Sequence, residues 1–207
     1  MAGSEGSAPT AARASRRQQI LEALAHELEA QPGARITTAR LAEVLGVSEA
    51  ALYRHFPSKA RMFEGLFDFA EESVFGLANR ILAEDGNAAT RIQRVLAMVL
   101  TFSSRNPGIT RVLLGEALVG EHERLRARGV QFFDRLEAQL RQVLREAELR
   151  EAQRAAAPPS VAAGLLMAVV EGRMAQFSRS GFARSPAEGW DRQWPILARG
   201  LFPDASG

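Results

Sequence analysis

The sequence contains no cysteine, which excludes disulfide bonds, thiolate metal ligands and cysteine nucleophiles. Its three histidines, His26, His55 and His122, lie too far apart in the chain to indicate a metal cluster. No apolar run reaches the roughly 18 residues that a membrane span needs, and residues 1–10 hold no hydrophobic stretch. We therefore expect no metal, no cofactor, no membrane partner and a cytoplasmic location.

Lysine is almost absent, since Lys59 is the only one, and arginine supplies nearly all the positive charge. The formal net charge is only +2, so bulk charge selects no partner. Enrichment in arginine is equally expected from a genomic bias in codon usage. The distribution of charge is more informative, because residues 35–61 hold five cationic side chains against two carboxylates: Arg35, Arg40, Arg54, Lys59 and Arg61 against Glu43 and Glu49.

Alternation of apolar residues with a period of two is missing from the sequence, and helical periodicity takes its place. The pattern predicts an all-α fold. Residues 1–15 are small and polar and are predicted to form a disordered arm. A first helix is expected over residues 15–30, within a small module of residues 16–60. Further helices are expected in the larger part, residues 61–207, at about residues 58–83, 88–104, 108–119, 121–150, 159–180 and 186–202.

Residues 36–56 have the pattern of a helix-turn-helix. The Thr37 hydroxyl is suited to cap a first short helix, Gly46 permits the positive φ of a tight turn, and Ser48 can cap a second helix. In such a motif the second helix enters the major groove and the first crosses the phosphates. The same spacing also occurs in a plain αα-hairpin, so the pattern favours DNA binding without proving it.

Polar side chains on and beside this motif are the candidate DNA contacts. Phosphate contacts are expected from groups that can donate hydrogen bonds, namely Thr37, Thr38, Tyr53, His55 and Lys59. Base contacts are expected from the exposed side of the second helix, namely Ser48, Glu49, Ala50 and Arg54. Arg35 is a further candidate, because it belongs to the local excess of positive charge in residues 35–61. Arg16 can reach an adjacent phosphate or the minor groove, although an ordinary solvated position is the alternative.

The run from Ile36 to Lys59, which ends in Leu-Tyr-Arg-His-Phe-Pro-Ser-Lys, resembles the DNA-binding domain of the TetR family. Blocks at residues 105–111 and 135–146 resemble the nucleoid occlusion factors within that family, and the resemblance extends over residues 16–202. It implies a three-helix DNA-binding domain followed by a helical dimerisation domain, with about nine helices in all. It also implies a nucleoid-associated protein that binds palindromic sites and, when DNA-bound, antagonises assembly of the division protein FtsZ.

In that group of the family, the FtsZ C-terminal tail docks along a groove between the fourth and fifth helices. The matching positions here are Phe69, Arg105 and Asn106. An apolar anchor and a charged partner suit an acidic peptide tail, and Phe69 and Arg105 can supply them. Without the resemblance, Phe69 would be assigned to the core stripe of its helix together with Met62 and Leu66.

Apolar and small residues on the last two predicted helices are expected to form a four-helix interface between two copies of the chain, as a palindromic site requires. On the helix from residue 159 they are Val161, Leu165, Ala168, Val169, Gly172 and Ala175. On the last helix they are Trp190, Trp194, Ile196, Leu197 and Leu201. The core of a single chain is the alternative use of these residues.

A repressor controlled by a small-molecule effector is the alternative function, because most relatives in the TetR family carry a ligand pocket. The residues that would line it are Met98, Phe102, Phe132, Phe133, Met167 and Met174. Methionine and phenylalanine at helical spacing more often form a core, so an effector is not favoured. An enzyme is not expected either, because no spacing links Glu116, His122 or Glu171 to a nucleophile or a metal.

Overall fold

The computed structural model describes residues 8–150 and 155–202, and side chains are described for residues 16–149 and 155–202. Regular structure in these ranges is helical and includes no strand, so the prediction of an all-α fold is confirmed. The elements are α1 (Ala8–Ala30), α2 (Thr38–Leu45), α3 (Glu49–Tyr53), α4 (Lys59–Leu82), α5 (Ala88–Arg105), α6 (Pro107–Leu113), a 3-10 turn (Glu116–Leu118), α7 (Glu123–Arg150), α8 (Pro159–Arg179) and α9 (Trp190–Leu201).

Helix α1 begins at Ala8, which is earlier than predicted. Residues 8–14 therefore belong to a helix, and the prediction of a disordered arm is wrong for them. The sequence explains the difference, because alanine recurs in this stretch and Pro9 falls in the first turn, where a proline is tolerated. The remainder of the predicted arm, residues 1–7, lies outside the described residues.

One apolar core runs through both parts of the chain. Ile20, Leu24 and Leu28 of α1 are buried at helical spacing, and they belong to the same cluster as the buried residues of α4 and α6. Gly108 on α6 allows this packing, since a Cβ atom there would lie 2.0 Å from the Ala25 carbonyl oxygen. The helix-turn-helix module is therefore fixed to the larger body through α1.

The helix predicted over residues 108–119 is broken in the structure. Helix α6 ends at Leu113, and Gly115 then adopts a φ of +78°, a left-handed conformation that glycine accepts without strain. A 3-10 turn follows, and Gly120 repeats the reversal with a φ of +77°. These two reversals place residues 119–122 in a connection between α6 and α7.

Most of the side chains predicted to line an effector pocket contribute to the core of the body, whereas half-buried Phe133 lines a groove of about 530 Å³ with residues of α6, α7 and α8. Phe132, Met167 and Met174 are buried, and the Phe132 ring centroid lies 5.3 Å from that of Phe75 and 5.4 Å from that of Phe133. Rings at these distances are in contact, and they pack α4 against α7. In the described part of the chain, no helix is long and apolar enough to cross a bilayer.

Candidate nucleic-acid interface

The two short helices of the helix-turn-helix are capped as the sequence predicts. Thr37 Oγ1 accepts a hydrogen bond from the Arg40 amide at 3.2 Å, at the start of α2. Gly46 ends α2 with a φ of +63°, in the left-handed region. Ser48 Oγ accepts from the Ala51 amide at 3.2 Å and starts α3. Each cap is local in sequence, which is why all three could be predicted.

Helix α3 is held against the module by its apolar side. Leu52 and Phe56 are buried, whereas Glu49, Ala50 and Tyr53 are exposed. This division leaves the predicted base-contacting positions of α3 on the solvent side, together with Ser48 and Arg54. The orientation is the one that a recognition helix requires.

A chain of hydrogen bonds joins α2 and α3 on this exposed side. The Tyr53 hydroxyl donates to Thr38 Oγ1 at 3.3 Å, and the Thr38 hydroxyl donates to Glu49 Oε2 at 2.5 Å. The ring of Tyr53 is therefore oriented before any ligand binds. Three of the predicted DNA contacts thus form one preorganised polar cluster, which we call the Tyr53 network (Thr38, Glu49 and Tyr53).

Three arginines near the motif have no carboxylate partner among the residues that the structure describes. Arg16, Arg35 and Arg54 are exposed, and no carboxylate of the described residues lies within ion-pair distance of them. Arg16 and Arg54 both line a groove of about 200 Å³ between α1 and α3, and His55, which is half-buried, lies at the same groove. The structure therefore brings together residues that are far apart in the sequence and makes this groove cationic.

Neighbouring Arg17 is fixed beside the motif. Its guanidinium carbon lies 4.1 Å from the centroid of the Phe56 ring, and its Nη1 donates to the His55 carbonyl at 2.6 Å. Cation–π contact and a charged hydrogen bond together tie α1 to the end of α3. Arg17 is therefore a structural tie as well as a positive charge near the candidate surface.

The other cations of residues 35–61 are already paired. Arg40 contacts Glu27 at 2.9 Å and Glu43 at 3.1 Å, and the hydrogen bond that it donates to Glu27 raises the pKa of the Arg40 guanidinium above its ordinary value. Arg61 contacts Glu64 at 2.7 Å. The local excess of positive charge counted in the sequence is therefore smaller in the folded chain than the sequence suggests.

Lys59, a predicted phosphate contact, is paired with a carboxylate of the chain itself. Its Nζ lies 2.6 Å from Glu121 Oε1. Glu121 lies 62 residues away along the chain, and no sequence signal connects it with Lys59. The partner of Arg40, in contrast, has a signal in the sequence. Glu27 falls on the apolar stripe of Ile20 and Leu24, and a carboxylate buried at such a position needs a partner.

A second candidate surface lies where α5 meets α6. Phe69 on α4 is 38% exposed, while Met62 and Leu66 on the same helix are buried, so Phe69 lies outside the core stripe. Its ring centroid is 6.3 Å from that of Phe102, and Asn106 Nδ2 donates to the Phe102 carbonyl at 2.8 Å. These two contacts order the junction between α5 and α6.

Phe69 and Asn106 both line a groove of about 230 Å³, whose other walls are residues of α1, α4 and α6. The resemblance implies a groove between the fourth and fifth helices, so the position of this groove differs from the expected one. Arg105, the last residue of α5, is exposed and stands next to Asn106 without lining the groove itself. The structure therefore brings two of the three predicted tail-binding residues to one groove and leaves the third beside it.

The residues of the last two helices that were predicted to form the dimer interface fall into an exposed group and a buried group. Leu165 on α8 and Ile196 on α9 are 51% and 73% exposed, and Val161 is exposed as well. Trp190 and Trp194 are at most 5% exposed, and their ring centroids lie 5.9 Å apart inside the chain. An interface role for the tryptophans and for the buried Leu201 is therefore wrong, because these side chains pack in the core of one chain.

No group of histidine, aspartate and glutamate side chains within the described ranges is arranged to hold a metal ion. The acid and base groups considered for catalysis are also dispersed. Glu116 accepts a hydrogen bond from Ser178, His122 is exposed, and burial raises the pKa of the Glu171 carboxyl, aided by Asp134 and Glu137.

Solved structures share this fold. The MbdR regulator from Azoarcus sp. CIB superimposes with a TM-score of 0.76 at 16% identity, over 89% of this chain and 98% of that one. The TetR-family transcriptional regulator PfmR from Thermus thermophilus gives 0.73 at 22% identity, over 88% and 98%. At these identities the likeness concerns the fold alone.

Sequence comparisons are more specific. Residues 20–66 match the model of bacterial regulatory proteins of the tetR family, and residues 86–202 match the SlmA-like model of the tetracyclin repressor-like C-terminal domain. The nucleoid occlusion factor SlmA of Alteromonas mediterranea is 54% identical over 90% of this chain and 95% of its own length. The protein of the same name from a Marinomonas species is 54% identical over 90% and 94%. The chain therefore belongs to the TetR family of bacterial regulatory proteins and, within it, to the group of the nucleoid occlusion factor SlmA.

Proposed function

We propose that this protein binds palindromic DNA as a homodimer and, in that state, inhibits assembly of the division protein FtsZ over the chromosome. The observation that carries the proposal is the presence of two separate prepared surfaces in one chain. One is the capped helix-turn-helix with its Tyr53 network, and the other is the groove at Phe69 and Asn106. A small-molecule effector would need a pocket in the body, whereas a groove beside an exposed ring and an exposed arginine suits a peptide.

DNA contacts are assigned to the exposed side of the helix-turn-helix. Thr37 and the N-terminus of α2 are suited to one phosphate. The Tyr53 and Thr38 hydroxyls can donate to the next phosphate once they exchange their present acceptors, Thr38 Oγ1 and Glu49 Oε2, for phosphate oxygens. The Glu49 carboxylate and the Ser48 hydroxyl stand at the front of α3, where base edges are read. Arg16, Arg35, Arg54 and half-buried His55 surround this centre, and exposed Ala50 leaves room for a base or a thymine methyl group.

The partner surface is assigned to Phe69, Arg105 and Asn106, and its proposed ligand is the FtsZ C-terminal tail. The exposed Phe69 ring gives an apolar anchor, and the Arg105 guanidinium pairs with a carboxylate of the tail. Asn106 fixes the junction between α5 and α6 through its hydrogen bond to the Phe102 carbonyl. The relatives' name as nucleoid occlusion factors supports this assignment.

The function is tested by measuring FtsZ polymers by light scattering. The polymers should decline when the protein is added together with a palindromic duplex that it selects from random DNA, and less when a scrambled duplex replaces it. Genome-wide mapping of bound sites provides the second arm. Many sites around the chromosome, sparse near the replication terminus, support nucleoid occlusion, whereas one site beside a transporter or enzyme gene contradicts it and favours a local repressor.

Replacing Phe69 or Arg105 with alanine is expected to weaken binding of an FtsZ C-terminal peptide by about tenfold or more, because central aromatic and arginine contacts dominate small interfaces. Fluorescence anisotropy of a labelled peptide measures the effect on the DNA-bound protein. Val130→Ala is the matched control, since Val130 is an exposed apolar residue on α7. Unchanged affinity in both variants contradicts the groove assignment.

Dimerisation is assigned to the exposed apolar residues of α8 and α9. Leu165→Glu is expected to convert a dimer into a monomer, because two carboxylates would be buried at a symmetric interface without partners. Sedimentation velocity at micromolar concentration measures the change. Leu77→Glu, at an exposed leucine of α4, is the control and should remain dimeric. A wild-type protein that sediments as a monomer rules out the proposed dimer.

A further inference from the structure

The only lysine of the chain is bound by a carboxylate that comes from the larger body. Lys59 is the first residue of α4, directly after the helix-turn-helix, and its Nζ lies 2.6 Å from Glu121 Oε1. The two side chains are only 18% and 9% exposed. The ammonium group also lies 5.5 Å from the centroid of the Phe63 ring. This is a partly buried ion pair, unlike the exposed ion pair of Arg94 with Glu84, where both side chains are near half exposure.

Glu121 is held in place by its own loop. Its amide donates to the Leu118 carbonyl at 3.1 Å, and Gly120 before it has a φ of +77°. The carboxylate therefore reaches the start of α4 from a fixed turn. Its contact there is with the Lys59 ammonium group, which would otherwise be available to a DNA phosphate.

We propose that Glu121 is a positioning residue that withholds Lys59 from DNA and so sets the affinity and the salt dependence of DNA binding. The inference rests on the DNA binding proposed above. A lysine already paired with a carboxylate brings no net charge to a phosphate, so it releases no counter-ion when DNA binds. If Lys59 turned to a phosphate, the Glu121 carboxylate would stay partly buried without a partner. This cost opposes the exchange of Glu121 for a phosphate as the partner of Lys59.

A double-mutant cycle on the full chain tests this inference. DNA affinity is measured for the wild type, Glu121→Gln, Lys59→Gln and the double variant at a series of salt concentrations, with one selected duplex. Lys59→Gln alone should bind DNA more weakly, because the Glu121 carboxylate loses its partner and repels the phosphates. Glu121→Gln should bind several-fold more tightly at low salt, with a slope steeper by about one for each protomer. The double variant should return to the wild-type slope.

Two results would overturn the inference. One is a shallower slope for the double variant than for the wild type, because Lys59 would then already contact a phosphate in the wild-type protein. The other is a wild-type slope for Glu121→Gln. Glu121→Asp, which keeps the charge, should retain the wild-type slope, and this variant distinguishes lost charge from a disturbed loop if Glu121→Gln unfolds at a lower temperature. Failure of the wild type to bind any duplex refutes the proposed function itself and is thereby distinguishable from both results.

Discussion

Gly108→Ala is expected to lower the free energy of unfolding by about 3 kcal/mol, the largest effect of any single methyl group considered in this chain. The added Cβ would lie 2.0 Å from the Ala25 carbonyl oxygen and 3.2 Å from Leu28 Cβ. Both neighbours belong to α1, and the nearer one is a backbone atom that no rotamer change can remove. Helix α6 must therefore move away from α1, and buried apolar contacts on both helices are lost.

Urea unfolding at one fixed protein concentration measures the loss, since the stability of a dimer depends on concentration. Gly76→Ala is the matched control. Gly76 lies within α4, and a Cβ atom there would meet nothing within 4 Å. Alanine is the better helix former, so this variant should gain about 0.5–1 kcal/mol. Equal stability of the two variants would show that α6 does not approach α1 as closely as described.

The same helix contact is secured by a buried arginine. Arg111 on α6 donates to the Leu28 carbonyl at 2.6 Å and to the Gln31 carbonyl at 3.3 Å, at the C-terminus of α1. Burial lowers the pKa of its guanidinium below the ordinary value, yet a cation at this helix end remains favoured by the helix dipole. Asn106 stands just before α6, so the proposed partner groove and the DNA-binding module share one rigid contact.

Features that depend on neighbouring residues could be predicted from the sequence. Thr37, Gly46 and Ser48 fix their helix ends through bonds to residues at most four positions away, and each was predicted correctly. The break after α6 shows how far such local reasoning extends. Gly115 and Gly120 permit a reversal, but glycine within a helical pattern does not require one, so the sequence pattern predicted a continuous helix.

Features that depend on distant residues could not be predicted from the pattern. A tryptophan at helical spacing suits an interface or a core equally well, and only the packing of α9 on the body shows that Trp190 and Trp194 are buried. The partner of Lys59 could not be predicted either. An ammonium group suits a phosphate, and only the fold shows that Glu121 lies beside it. The resemblance to the TetR family supplied the tail-binding residues, which no periodicity would have distinguished from a core stripe and a turn.

Arg54→Ala is expected to weaken binding to a selected palindromic duplex by about tenfold to a hundredfold, which corresponds to about 1–3 kcal/mol. Arg54 follows α3 directly, is exposed, and shares a groove with Arg16. No described carboxylate competes for its charge, in contrast to Arg40 and Lys59. Removing it therefore removes a cation that is available to DNA, and a palindrome would lose the contact in both half-sites.

Affinities for the selected duplex and for a scrambled duplex, each measured across salt concentrations, identify the kind of contact. A phosphate contact predicts an equal loss on both duplexes and a slope of log K that is shallower by about one for each protomer. A base contact predicts a loss confined to the selected duplex. Arg145→Ala removes the same charge from an exposed position on α7 and should change neither quantity. If Arg54→Ala also leaves both affinities unchanged, the groove between α1 and α3 does not face DNA, and the recognition surface reduces to the Tyr53 network and the front of α3.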